Sequence, residues 1–266
     1  MMTNQNFKSS RRREIISSGI DEIKDVILGS MEWGLLGTFK RMRISYIRHR
    51  YLLWSTEASY DFDRKYGIDT TRKLRTSFFQ MPKEVMQDAV MYWATPVSMF
   101  YEIMSVLNID FKKYIFVDFG CGKGRVVLLA SHYPFQKIFG LDIHKSLLRI
   151  GVNNFQKFQS QASVKSDVQF MHCSATDFRY TMGKNYLIYL FNPFGVATFC
   201  SVLDRLEYVT CAHSCQEPYV VLLDPTVSQL ELIRRRLWIL VNCREVAPNN
   251  GQFSWYVYRG NFDGCK

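Results

Sequence analysis

A chain of 266 residues with 47% apolar, 15% aromatic and 22% charged residues can fold around one large core with an added segment, and collagen-like, low-complexity and coiled-coil readings are excluded. Thirty-four Lys and Arg outweigh 24 Asp and Glu, and the net charge of +10 favours phosphate-rich or anionic surfaces without naming a partner. Seven scattered cysteines, an odd number with no CxxC pair, point to reduced thiols in a cytoplasmic protein, and Cys211-x-His213-x-Cys215 lacks the second pair that a zinc site needs, so no metal is expected.

Near the N-terminus, Arg11-Arg12-Arg13 superficially has the form of a twin-arginine export signal, but Asp21, Glu22, Lys24 and Asp25 interrupt the apolar run such a signal requires. Ile16, Ile20, Ile23 and Ile27 fall at spacings of four, three and four, one face of a helix. A second helix is expected between Gly34 and Trp54, where Leu36, Phe39, Met42 and Tyr46 alternate with Lys40, Arg41, Arg43, Arg48 and Arg50. This basic amphipathic stretch is either a solvated helix face or a surface for nucleic acid, anionic lipid or an acidic protein. Residues 1–75 carry 15 Lys and Arg against 9 Asp and Glu, which marks a basic helical extension (1–75) ahead of a main domain (76–266).

From residue 114 short apolar runs alternate with helical patterns. Strands are expected at Tyr114–Phe119, Lys137–Asp142, Val168–Cys173, Tyr186–Phe191, Tyr219–Asp224, Val241–Val246 and Phe253–Arg259; helices at Gly124–His132, Lys145–Gln159, Val196–Cys211 and Ser228–Leu240. The alternation predicts an α/β fold: a Rossmann-like, doubly wound, mostly parallel seven-stranded sheet. The run Ala247-Pro248-Asn249-Asn250-Gly251 is too short for a crossover helix, so the last two strands form an antiparallel hairpin. Residues 186–203 carry no charge and approach the length of a membrane span, but Asn192-Pro193 and Gly195 divide them into a strand, a turn and a helix start, so no integral membrane segment is expected.

The first strand runs into Asp118-Phe119-Gly120-Cys121-Gly122-Lys123-Gly124. Glycines at this spacing turn the chain tightly and let a ligand approach the backbone, beside the amide-rich start of a helix. A dinucleotide fingerprint would want glycine or alanine at Arg125, and a phosphate P-loop would want Gly-Lys-Ser/Thr after four intervening residues; neither fits. Asp142 ends the second strand, eighteen residues after Gly124, where a carboxylate accepts from both ribose hydroxyls, with Ile143 next to it. Asp177, beside Thr176, follows the third strand, where it can accept from an adenine amino group.

In this order, the motifs resemble those of the class I S-adenosylmethionine-dependent methyltransferases over residues 92–259. The resemblance implies S-adenosyl-L-methionine as cofactor. Gly120, Gly122 and Gly124 would wrap its amino-acid end, Asp118 would fix the loop and the amino group, Asp142 would hold the ribose and Asp177 would reach the adenine, with Cys121, Ile143 and Thr176 also expected to bind the cofactor. Phe191-Asn192-Pro193-Phe194-Gly195 resembles the Asn/Asp-Pro-Pro-Tyr/Phe motif of enzymes that methylate amino or amide nitrogen, with one proline where many have two. Asn192, Pro193 and Phe194 are therefore the expected catalytic residues, with Asn192 also at the cofactor. Upstream, Tyr92-Trp93-Ala94-Thr95-Pro96 is loosely similar to segments that close over the cofactor in some lysine methyltransferases, and Tyr92 and Asp69 are weaker candidates near the mouth. Phe62-Asp63-x-x-Tyr66-Gly67-Ile68-Asp69-Thr70 is similar to an element of a poorly characterised bacterial group of small methyltransferases with Gly-Lys-Gly-Arg and Asn-Pro-Phe motifs. It would be a mobile lid over the cofactor or a plain helix-ending turn.

The expected activity is N-methylation of a protein side chain, lysine above all. The alternatives are an RNA methyltransferase that grips nucleic acid through its basic front, or a binding module that keeps the fold without turnover. No histidine is obviously placed as general base; His132, His144 and His172 read as surface or packing residues.

Overall fold

A computed structural model describes residues 59–71, 94–212, 217–247 and 252–262. The helices expected at Ile15–Ile27 and within Gly34–Trp54, the Tyr92-Trp93 pair, His213, Cys215 and the turn at 248–251 lie outside the described residues. Thr56–Glu245 and Phe253–Lys266 together make up one compact unit, which holds the whole sheet.

The strands are β1 (Tyr114–Phe119), β2 (Lys137–Asp142), β3 (Asp167–His172), β4 (Asn185–Phe191), β5 (Tyr219–Leu223), β6 (Trp238–Arg244) and β7 (Trp255–Gly260). They form one sheet in the order β3-β2-β1-β4-β5-β7-β6. Neighbours among β1 to β5 pair in parallel, whereas β7 runs antiparallel to both β5 and β6. This is the expected Rossmann-like sheet with its antiparallel hairpin. The inner strands are near-continuous apolar runs because helices cover them: Phe116, Val117, Leu187, Ile188, Val220 and Val221 are fully buried.

Helices α1 (Val97–Ser105), α2 (Arg125–Ala130), α3 (Lys145–Gln159), α4 (Val196–Cys211) and α5 (Val227–Arg234) lie between or before the strands, and residues 59–66 are helical. The limits of α3 and α4 match the sequence expectation. Helix α1 was not anticipated; it buries Met99, Phe100, Ile103 and Met104, and Glu102 on it accepts from Arg244 and from the Trp255 indole, which ties α1 to the terminal hairpin.

The expected helix Ser228–Leu240 is a correction. Helix α5 starts at Val227 behind a capping box in which Thr226 and Gln229 bond each other's backbone amides, and it stops at Arg234. Trp238, Ile239 and Leu240 instead pair with Gly260, Arg259 and Tyr258 of β7, and the Trp238 indole donates to Glu207 at 2.7 Å. Ladder pairing thus prevails over a helical periodicity that runs on in sequence. A bulge between Leu240 and Asn242 shifts the pairing register, and Ile239, Leu240 and Val241 are exposed in succession along the strand.

Candidate active site

The strand order reverses between β1 and β4, so the crevice at their carboxyl ends is the natural ligand position of such a sheet. Two of the expected motifs meet there. Gly120, just after β1, has φ +78°, and a Cβ on it would lie 2.5 Å from the Cβ of Pro193, just after β4. Only glycine satisfies both the left-handed backbone and this contact. Gly122 and Gly124 are also left-handed, at φ +53° and +83°, and a Cβ at Gly124 would press on the Phe170 ring at 3.0 Å.

The loop's amides are already engaged. Gly120 and Cys121 both donate to the Leu141 carbonyl at 2.8 Å, Gly124 donates to the Cys121 carbonyl at 2.8 Å, and Gly122 donates to Asp142 Oδ2 at 2.8 Å. The sequence suggests free N–H groups at this turn; these four are not free. A loop so bonded is a poor phosphate cradle.

Beneath it lie two carboxylates. Asp142 is 6% exposed and also accepts from the His144 amide at 2.7 Å. Burial raises its pKa, opposed by those two backbone hydrogen bonds. Asp118 is 3% exposed, its Oδ2 has no hydrogen-bond partner, and burial followed by repulsion from Asp142 pushes its carboxyl well above the usual carboxylate range. An unpaired buried carboxyl beside a second one is costly without a cationic or hydrogen-donating ligand. Burial, then Asp142 and Asp118, likewise push the Cys121 thiol well up, so Cys121 is a neutral packing group rather than a nucleophile.

Further along the sheet edge, Ile143 is 38% exposed after Asp142, with its carbonyl 3.0 Å from His172 Nε2. Ala175–Asp177 form a 3-10 turn in which the Ser174 and Thr176 hydroxyls bond at 2.8 Å and Asp177 is exposed. Arg205 of α4 donates to the carbonyls of Thr176 and Phe178 and holds this turn from behind. An apolar side chain, a hydroxyl and a carboxylate therefore line the ends of β2 and β3. Arg205 carries no mark in the sequence, because its target is main chain.

Asn192, Pro193 and Phe194 are half-buried past β4. Asn192 has φ +39°, and Gln229 Nε2 of α5 donates to the Phe194 carbonyl at 3.0 Å, which fixes the turn. Asp224, just past β5, was missed by the sequence reading. Phe191 and Leu223 are register partners, so Asn192 and Asp224 occupy equivalent places on adjacent strands. Asp224 has φ +51°, and these two are the non-glycine residues with positive φ among those described. Strained backbone at the sheet edge is a frequent mark of a functional site. His132 lies away from this edge: it packs on Phe158 and bonds the Tyr101 hydroxyl, and burial lowers its pKa.

Residues 59–71 are fastened to the glycine loop from the helix side. The helical turn ends at Gly67, φ +63°, and Tyr66 and Ile68 pack with Leu128 of α2 and Phe158 of α3. Asp63 accepts from the amides of Thr70 and Thr71 at 2.7 and 2.8 Å. The loop's two cations turn toward this segment: Lys123 Nζ meets Asp69 at 3.1 Å, and Arg125 meets Thr70 Oγ1 at 2.7 Å, Asp63 at 3.4 Å and the Thr71 hydroxyl. Asn154 of α3 donates to the carbonyls of Asp69 and Lys123 at 2.9 and 3.0 Å. The sequence alternative of a helix-ending turn describes this local conformation.

No family model matches the chain, and no curated protein matches it. Among solved structures it is similar to a methyltransferase from Streptococcus mutans in complex with SAH (10% identity, 64% of this chain and 100% of that one, TM-score 0.47). It is also similar to the ribosomal protein L11 methylase of Lactobacillus delbrueckii subsp. bulgaricus (9%, 63% and 79%, TM-score 0.46). A third likeness is to an RNA methyltransferase of Salinibacter ruber in complex with S-adenosyl-L-homocysteine (16%, 68% and 93%, TM-score 0.42). With TM-scores below 0.5, these likenesses bear on neither ligand nor acceptor.

Proposed function

We propose that the protein is an S-adenosyl-L-methionine-dependent methyltransferase that methylates nitrogen on a protein side chain, lysine above all. The observation that carries the reading is the unpaired, buried Asp118 Oδ2, beside Asp142 and under a loop whose amides are engaged. That arrangement suits a ligand with an ammonium group and hydroxyls, and disfavours a pyrophosphate. Asp118 would accept from the amino group. Asp142 keeps its bond to Gly122 and has lone pairs left for ribose hydroxyls. Exposed Ile143 offers an apolar surface for the adenine face, and Thr176 and Asp177 offer polar contacts at its edge.

The bound cofactor supplies an electrophilic methyl group for in-line displacement; the protein supplies alignment. Asn192 accepts a hydrogen from the nitrogen and turns its lone pair, with Phe194 as a wall for the aliphatic chain. A lysine amine is protonated at neutral pH and must lose a proton first. Asp224, level with Asn192 on the next strand, would receive it.

One observation favours a second acceptor: the net charge of +10 suits RNA. Calorimetric titration with S-adenosylmethionine, its demethylated product, NAD and ATP tests the cofactor. Transfer of labelled methyl to lysine-rich protein or to RNA then tests the acceptor. Binding of NAD or ATP in place of the methyl donor refutes the proposal, and label found in RNA alone replaces lysine with a base.

A further inference from the structure

Lys123 and Arg125 flank Gly124 and look like anion-binding groups, yet their side chains are 0% and 2% exposed and both are held by residues 59–71. We propose that this segment is a positioning strap: Asp69 and Asp63, acting through Lys123 and Arg125, hold the glycine loop in its ligand-binding shape without touching the ligand. The inference rests on the proposed function for the identity of that ligand.

Three features carry it. Lys123 lies inside the loop, and its Nζ, fully buried, reaches Asp69 Oδ1 at 3.1 Å, so this contact pulls the backbone of Gly122 and Gly124 toward the segment. Asn154 bonds the Lys123 carbonyl and both the carbonyl and amide of Asp69, which joins the two backbones directly. Arg125 extends the same network to the Thr95 carbonyl, and the Thr95 hydroxyl accepts from Tyr189 of β4 at 3.3 Å. A cation buried to this degree is destabilising once its carboxylate is removed, and the chain around it must shift to rehydrate it. That shift falls on Gly120–Gly124, whose left-handed glycines resist it least.

The test uses the full-length protein with two readouts, the affinity for S-adenosylhomocysteine by calorimetry and hydrogen exchange of peptides spanning residues 118–125 and, as control, 185–191. D69N is expected to bind about tenfold more weakly and to exchange faster over 118–125 with 185–191 unchanged. The D69N/K123M double variant, in which the Lys123 charge no longer needs rehydrating, is expected to regain part of the affinity. Wild-type affinity and unaltered exchange over 118–125 in D69N would overturn the proposal, as would faster exchange in both peptides, which marks general loosening. If the wild-type chain itself binds no S-adenosylhomocysteine, the functional reading fails and exchange alone decides the strap. Should D69N not fold, T70V removes the hydroxyl that accepts from Arg125 Nε and donates to Asp63, and it is judged by the same outcomes.

Discussion

The carboxyl ends of β1 and β2 and those of β4 and β5 face the same crevice but are built to different standards. On the first side the loop amides are bonded, Asp118, Asp142 and Cys121 are buried, and two buried cations are held from behind. On the second, Asn192, Phe194 and Asp224 are half-buried, two of the three in strained conformations, and one side-chain bond from Gln229 secures the turn. Under the proposed function, the first half would be preorganised for a ligand of fixed shape and the second would leave room for an acceptor that brings its own contacts.

If that contrast is right, variants on the two sides separate binding from transfer. The largest effect is expected from D142A, which removes the Gly122 and His144 anchors together with the proposed ribose contacts; calorimetry should show at least about a hundredfold loss of S-adenosylmethionine affinity. N192A should leave that affinity nearly intact and lower transfer of labelled methyl about a hundredfold; equal loss of both would erase the distinction between the halves. G120A forces a Cβ against Pro193 at a positive φ and should cost about 1–3 kcal/mol in denaturant unfolding, loosening both sides together. D177A, at an exposed site, should weaken binding by about 1 kcal/mol, close to fivefold.

Asp118 sharpens the contrast through pH. Its folded carboxyl is held well above the usual range and returns to about 3.9 on unfolding. Its contribution to stability is therefore fully present below about pH 3.9 and is lost as pH rises through the folded value. D118N should raise the Tm of the ligand-free protein relative to wild type above that value and converge with it in acid, while weakening cofactor binding about tenfold. In the wild-type protein, a cationic ligand draws Asp118 to its ionised form, so binding at a pH where it is protonated should release a proton and give a heat that depends on the buffer. A heat independent of the buffer would place the ammonium elsewhere.

Periodicity carried most of the fold into view: helices α3 and α4 end where apolar spacing ends, and β1 and β2 match their expected limits. It misled at Trp238–Leu240, where apolar residues suit a helix or a strand equally and the pairing with β7 decides. On the site, the glycines and the acids at strand ends stood out because each follows an apolar run at a fixed distance. What escaped was pairing across the chain. Nothing local to Asp63 names Arg125, and the contact of Asp69 with Lys123 depends on how α2 and α3 stack. Asp224 escaped for another reason, since its left-handed backbone follows from the β5 exit and from its amide bond to the Ser254 carbonyl, not from its neighbours in sequence.

The order β5-β7-β6 has a consequence for how the protein comes to be made. Strand β6 leaves the ribosome before β7, yet among the described residues it pairs only with β7, which must first settle against β5. Until then β6 is an apolar segment with both edges open, and Ile239, Leu240 and Val241 are available to other chains. The interval between synthesis of the two strands is thus the period of greatest exposure to aggregation, and changes that slow the closure of β7 should lower the yield of soluble protein before they alter the folded state.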